Sequence, residues 1–346
     1  MFGEWGIWFI GISSLIITWV TFPFFIKRMH SRGIVGKDMN KPNSPPVAEM
    51  GGTIVLLGFV FSIMMALFMN SHFGFFSGID LLALLAAMLT IVLMGLLGIV
   101  DDIIGWKKGI RQYQHALIPI FAALPIMVLP QTIGNTGVDV PFVGFVHFGI
   151  LYSILLVPFA ITGASNAVNM LAGLNGLEAG MSLLNALALL VVGLIIGEQE
   201  VVILMIGLIG AIIPFLVLNW YPAKVFPGDS FTLMIGAGLA AASIVGNIEK
   251  VGLMLFGLYF FELVLKLRTK MQAESFGKIQ PDGTLRAPEK IGSLTHVVMR
   301  MGNFTEKQVV LIILGMQLVV IAITLAVFWI NYVTSTSAIS YLGLAS

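Results

Sequence analysis

The 346-residue chain is 58% hydrophobic and only 10% charged, with a formal net charge of +1 and no cysteine. Soluble domains run ~45–50% apolar and ~25% charged, so this composition is that of a membrane protein. It excludes a disulfide framework, thiolate chemistry and cysteine metal sites, and it offers no electrostatic pull toward nucleic acid.

The first apolar run, 5–26, has no positively charged stretch before it and is long enough to span. It reads as a retained helix, not a cleaved signal. Runs of the ~20 residues that a bilayer requires follow at about 50–70, 79–100, 113–130, 146–164, 179–197, 201–218, 231–247, 251–267 and 308–331. They are continuously apolar, not alternating, which favours helices over a barrel. The expectation is an all-α polytopic fold of about ten transmembrane helices, forming a single integral membrane domain over 1–346.

The connections alternate in character. One set is short or nearly uncharged: "NSHFGFFSG", "PQTIGNTGVDVPFVG", "GEQE", "GNIEK" and the C-terminal tail. The other set comprises 27–49, 101–112, 166–180, 219–230 and 268–307, and every Lys and Arg except Lys250 falls in or beside it. The positive-inside rule puts that second face in the cytoplasm and both termini on the other side. The sequon at Asn303 then lies in the cytoplasm and is expected to stay unglycosylated.

The dense polar chemistry falls on this one face. In "GIVDDIIGWKKGIR", Asp101 and Asp102 close a spanning helix. Adjacent carboxylates there oppose each other and the helix dipole, so a cationic partner is expected: Lys107, Lys108 and Arg111, or a divalent ion. In "NWYPAKVFPGDSF", Asp229 enters a helix behind Gly228, which suits a metal with phosphate, or a plain N-cap. In "NAVNMLAGLNGLEAG", Asn166 and Asn169 lie one helical turn apart. A lone asparagine there would serve as interhelical glue, but three beside Glu178 point to a site. "GKDMNKPNSPPVAEMGG" is a basic topology anchor ending at Glu49. Within 268–307, the Pro-Asp-Gly of "FGKIQPDGTLRAP" predicts a β-hairpin, and "IGSLTHVVMRMG" an interfacial helix holding His296. "GAGLAA" in 231–247 reads as small-residue helix packing, since no strand precedes it. No Walker loop, zinc-type histidine cluster or serine triad signature is present.

In this order, these four motifs resemble the polyprenyl-phosphate N-acetylhexosamine-1-phosphate transferases of the glycosyltransferase 4 type. "NAVNMLAGLNGLEAG" and "NWYPAKVFPGDS" make the chain most similar to the eukaryotic and archaeal branch, the UDP-GlcNAc:dolichyl-phosphate GlcNAc-1-phosphotransferases, which begin N-glycan synthesis. The bacterial cell-wall branch usually has aspartates in the first of these motifs and a histidine-rich loop. The resemblance implies transfer of a sugar-1-phosphate from a UDP-N-acetylhexosamine to a polyprenyl or dolichyl phosphate, releasing UMP, with Mg²⁺ or a substituting Mn²⁺. It implies Asn169 and Asp229 as metal ligands and Asp101 with Asp102 as the essential aspartate pair. It also places Asn175 on the uracil, Phe226 beside the base, and Glu49 and Asn166 around the sugar nucleotide and phosphates. Arg111 stands where relatives often carry a phosphate-binding lysine. The His/Arg-rich run that relatives show in 268–307 is missing, with Lys278 as the replacement cation and Lys41 as a further one.

The mechanism expected is single displacement by the lipid phosphate, with Asp101 binding or deprotonating it or tuning the metal. The expected setting is a cell membrane with a cytoplasm-facing site, or the endoplasmic reticulum if the source is eukaryotic, with a homodimer allowed. The rival enzyme reading keeps the chemistry but initiates a cell-wall or surface polysaccharide. The rival class is a membrane transporter of a nucleotide sugar or phosphorylated solute. The crowding of polar groups at one face, not the midplane, speaks against it.

Overall fold

The computed structural model describes residues 4–76, 78–104, 119–134, 137–141 and 143–341. The helices that matter are α1 (Glu4–Arg32), α2 (Gly52–Phe73), α3 (Leu81–Ile104), α4 (Val157–Met170, entered through a π-helical turn at Tyr152–Leu156), α5 (Leu177–Ile196), α6 (Gln199–Asn219), α7 (Gly228–Val245), α8 (Glu249–Leu255), α9 (Gly257–Arg268), α10 (Leu294–Met301) and α11 (Glu306–Tyr341). Among the described residues, eight helices are long and apolar enough to cross a membrane: α1 to α7, with the π turn included in α4, and α11.

Two expected runs differ. Of the run 113–130, residues 113–118 lie outside the described ones, and 119–130 form short, interrupted helical pieces, not one continuous span. The run 251–267 is divided at Phe256 into α8 and α9. Phe256 has ψ 10°, far from the helical value near −42°, and its N–H turns to the carbonyl of Leu253.

Bilayer-facing and core-facing helices separate clearly. Trp5, Trp8, Trp19 and Phe24 of α1 are exposed, as large apolar side chains facing lipid would be. α7 is buried along nearly its whole length and packs on α3 and α4, while α1 packs on α2 and α6. Without a hydrophobic force between helices in lipid, such packing depends on close backbone approach. The sequence of α7 supplies it. A side chain on Gly236 would run into the Ala164–Ser165 backbone of α4, and one on Gly52 into the Ser230–Phe231 backbone of α7. The small-residue reading of "GAGLAA" therefore describes a packing seam.

Short antiparallel pairs decorate the ends. β1 (Val35–Lys37) pairs with β2 (Pro46–Ala48), and β3 (Gly137–Val140) with β4 (Gly144–His147). Lys250, the one basic residue away from the charged face, forms a 2.8 Å ion pair with Asp139 of β3. The hairpin expected in 268–307 is present as β5 (Lys278–Ile279) and β6 (Thr284–Arg286), extended by β7 (Phe304–Thr305). Its turn is fixed by Asp282, whose Oδ1 accepts from the Thr284 N–H at 3.0 Å and its hydroxyl at 2.7 Å. α10 follows the expected helix, but Leu294, Val298 and Met299 are buried against the protein.

These contacts set a prediction. Gly236→Val should lower the melting temperature in detergent by several degrees, the scale of overpacking at ~1–3 kcal/mol. Gly315→Val on α11, where an added carbon meets nothing within 4 Å, should leave it unchanged by the same thermal measurement.

Candidate active site

The polar motifs converge where α3 ends and α7 begins. Asp102 Oδ1 accepts from the Asp229 N–H at 2.8 Å, and Oδ2 accepts from the Ser230 N–H at 3.1 Å. A helix N-terminus carries unpaired amides and partial positive charge, so it is a ready partner for a carboxylate. The compensating charge expected beside the aspartate pair is thus supplied, for Asp102, by another helix. Two glycines allow the approach. A Cβ on Gly98 of α3 would enter the Asp229–Ser230 backbone, and one on Gly228, whose φ is +70°, would lie 2.5 Å from Asp102 Oδ2.

This clamp turns the Asp229 side chain toward Asp101 of α3 and Asn169 of α4. Two carboxylates and an amide from three helices therefore share one place. No group of three or more His, Asp or Glu side chains among the described residues is arranged as a metal site. A sparse oxygen set of this kind fits Mg²⁺, which keeps several waters and takes one or two carboxylates plus substrate phosphate oxygens. It does not suit metals that favour thiolate or imidazole.

Beside these groups lies a cavity of about 550 Å³, within the usual range for small-molecule sites. Asn169, Asn175, Phe226 and Asp229 line it. Its floor is the loop 171–176, where each backbone turn is tied to a different segment. Glu178 Oε1 accepts from the Gly173 N–H at 2.6 Å, and Asn219 Oδ1 from the Gly176 N–H at 3.0 Å. Asn40 Nδ2 donates to the Gly173 carbonyl at 3.1 Å, and its oxygen accepts from the Gly277 N–H at 3.3 Å. Phe226 is held from both sides. Its N–H donates to the Ala48 carbonyl at 2.7 Å, and its carbonyl accepts from the Gly51 N–H at 2.9 Å.

Of the other anticipated residues, those that are described lie outside the cavity wall. Asn166 donates to the Thr162 carbonyl of its own helix at 2.8 Å and does not line the cavity. Glu49 sits under β1, where Gly36 leaves room for its carboxylate, and burial together with Asp102 raises its pKa. Lys278 is exposed on β5, outside the cavity wall. Arg111, Lys107 and Lys108 lie outside the described residues. Lys41, expected as a cation for the diphosphate, is buried and ion-paired with Asp38 and Glu306. His296, expected on an interfacial helix, is instead buried within the protein: Nδ1 accepts from the Gly292 N–H and Nε2 faces the Phe276 carbonyl, with burial lowering its pKa.

Two lysines do line the cavity, and the motif reading assigned a role to neither. Lys266 of α9 is buried, donating to the Ala273 carbonyl at 2.7 Å and Ser275 Oγ at 3.1 Å, with Glu262 at 3.6 Å. It fixes the loop that forms one wall. Its signal was the i,i+4 pair Glu262–Lys266 inside an apolar run, a costly placement that marks a buried role. Lys37, at the end of β1, forms no ion pair among the described residues. Glu178, which had no assigned role, holds Gly173.

Residues 81–247 match the family described as glycosyl transferase family 4. A protein of Saccharolobus solfataricus, provisionally named UDP-N-acetylglucosamine–dolichyl-phosphate N-acetylglucosaminephosphotransferase, is 37% identical over 321 residues, covering 91% of this chain and 95% of its own. A protein of Sulfolobus acidocaldarius with the same provisional name is 38% identical over 93% of this chain and 96% of its own. The phospho-N-acetylmuramoyl-pentapeptide-transferase of Streptococcus thermophilus is 31% identical over 73% of this chain and 76% of its own. On its motifs and on these relatives, the chain belongs to glycosyl transferase family 4.

Proposed function

We propose that the protein transfers N-acetylglucosamine-1-phosphate from UDP-N-acetylglucosamine to a dolichyl or other polyprenyl phosphate, releasing UMP, as the first step in building a lipid-linked glycan. The observation that carries this reading is the meeting of Asp229, Asp101 and Asn169 beside a cavity lined by Asn175 and Phe226. The names of relatives that match over nine-tenths of the chain support the same donor and acceptor.

In this reading an oxygen of the lipid phosphate attacks the β-phosphorus of the donor. A new P–O–P bond forms, the bond from the β-phosphorus to the bridging oxygen breaks, and UMP leaves with that oxygen. The nucleophile is already ionised near pH 7, since a phosphate monoester's second pKa is ~6. Asp101 therefore positions the lipid phosphate more than it deprotonates it. Asn169 and Asp229, with Asp101 beside them, would hold Mg²⁺, whose charge offsets that of the diphosphate when bound. Phe226 offers a flat face to the base. Lys37 faces the cavity as a cation, a role that Arg111 would share. Asp102 acts through the α7 N-terminus and so orients Asp229.

The topology that goes with this reading has ten crossings, with α8 and α9 together as one and 113–130 as another. Both termini then lie outside and the site faces the cytoplasm. All the basic residues except Lys250 then lie on the cytoplasmic side.

Purified protein supplied with UDP-N-acetylglucosamine should release UMP only when a polyprenyl phosphate and a divalent cation are both present. Vesicle uptake of the nucleotide sugar without UMP release would favour the transporter instead. In that assay Asp229→Ala should lower kcat about 100-fold or more, the scale of losing one preorganised charge-stabilising group. Asp102→Ala should lose both activity and ~1–3 kcal/mol of stability, because two buried amides lose their acceptor; a thermal melt separates it from Asp229→Ala. Lys37→Met should raise the donor KM about tenfold, the order of one charged hydrogen bond, while Lys278→Ala should stay within about twofold.

A further inference from the structure

Asn175 is gripped twice, from outside its own motif. Its backbone N–H donates to Glu306 Oε1, at the first turn of α11, at 2.8 Å. Its side-chain Nδ2 donates to Asp38 Oδ2, just after β1, at 2.9 Å. Lys41 joins the two acceptors: its Nζ lies 3.1 Å from Asp38 Oδ2 and also pairs with Glu306. All four residues are buried. The Tyr221 ring covers the ammonium, 4.3 Å from its centroid, and Lys307 approaches the same ring at 4.8 Å. Burying one cation with two carboxylates is expensive unless every group is hydrogen-bonded. Here the charges converge on a single asparagine in the cavity wall.

The consequence is chemical. An asparagine amide offers a donor on one side and an acceptor on the other, and the two can exchange by rotation. With Nδ2 committed to Asp38, the oxygen is the end left for the cavity. An acceptor there pairs with a ring N–H. Uracil carries an N–H at its N3 position, whereas cytosine has a bare nitrogen there. We propose that Asp38, Lys41 and Glu306 form a positioning relay that fixes the amide of Asn175 with its oxygen toward the cavity. Through that amide, these residues set a preference for a base with an imino N–H; Asp38 also lines the cavity, whereas Lys41 and Glu306 do not. The inference rests on the UDP-sugar reading above and adds to it three residues from two distant segments.

The relay explains why Lys41, despite its charge, does not line the cavity: its charge is spent on Asp38 and Glu306. It also makes the base subsite depend on the start of the last spanning helix, 131 residues from Asn175.

The test is calorimetric binding of UMP and of CMP to the purified full chain, with donor kinetics alongside. Wild type should bind UMP more tightly than CMP. Glu306→Gln keeps size and an acceptor for the Asn175 N–H but removes the charge that holds Lys41. It should weaken UMP binding about tenfold and bring the UMP-to-CMP ratio toward one, with donor KM raised and kcat at saturating donor within about threefold. Asp38→Asn should do the same, and carries the test if Glu306→Gln does not fold. Lys41→Met, which leaves the two carboxylates facing each other, should lose the ratio as well. A wild type that turns over a UDP-sugar, together with folded variants that keep the full UMP preference, would overturn the relay. A wild type that prefers neither nucleotide and releases no UMP would overturn the underlying UDP-sugar reading instead.

Discussion

The site depends on one contact: the Asp102 carboxylate against the first amides of α7. A carboxylate at the C-terminal end of a helix is unfavourable on its own, because the helix carbonyls and a neighbouring aspartate repel it. Placed against the N-terminus of a second helix it becomes favourable, since two orphan amides gain an acceptor. Gly98 and Gly228 leave the space, and α7, packed on α3 and α4, has little freedom to move away. The same contact decides where Asp229 goes. Its backbone is held by Asp102, so its side chain must turn to Asp101 and Asn169.

A second layer surrounds that clamp. The loop 171–176 has little regular structure, yet its amides and carbonyls are bonded to Glu178, Asn219, Asn40 and Glu306. These partners come from four segments far apart in the chain. Buried backbone groups must be satisfied, and here side-chain carboxylates and amides do it in place of a sheet or helix. The asparagines and glutamates that make the apolar chain look interrupted are largely the scaffold of the cavity, and only some of them face it.

Much of this was legible in the sequence. Continuous apolar runs gave the spanning helices, the Pro-Asp-Gly turn gave β5–β6, and the grouping of charged loops on one face gave the place of the site. Asn169, Asn175, Phe226 and Asp229, which the motifs single out, all line one cavity. What failed was partner choice. Spacing put Asn166 on the same face as Asn169, but its amide back-bonds to Thr162, a local contact that helical asparagines readily make. Lys41 was read by its charge alone, and its two partners lie 3 and 265 residues away. The 251–267 run has the composition of one span, but a flattened Phe256 before Gly257 divides it. Hydropathy counts apolar residues and does not register a single backbone angle.

The central claim is that the Asp102 clamp gathers Asp229, Asp101 and Asn169 into one oxygen donor set. Electron paramagnetic resonance of Mn²⁺, titrated into the purified protein with UDP, tests it most directly. One tightly bound ion per chain is expected in the wild type, lost in Asp229→Ala and Asn169→Ala, and retained in Asn166→Ala. Full binding in Asp229→Ala, or equal loss in Asn166→Ala, would contradict the account.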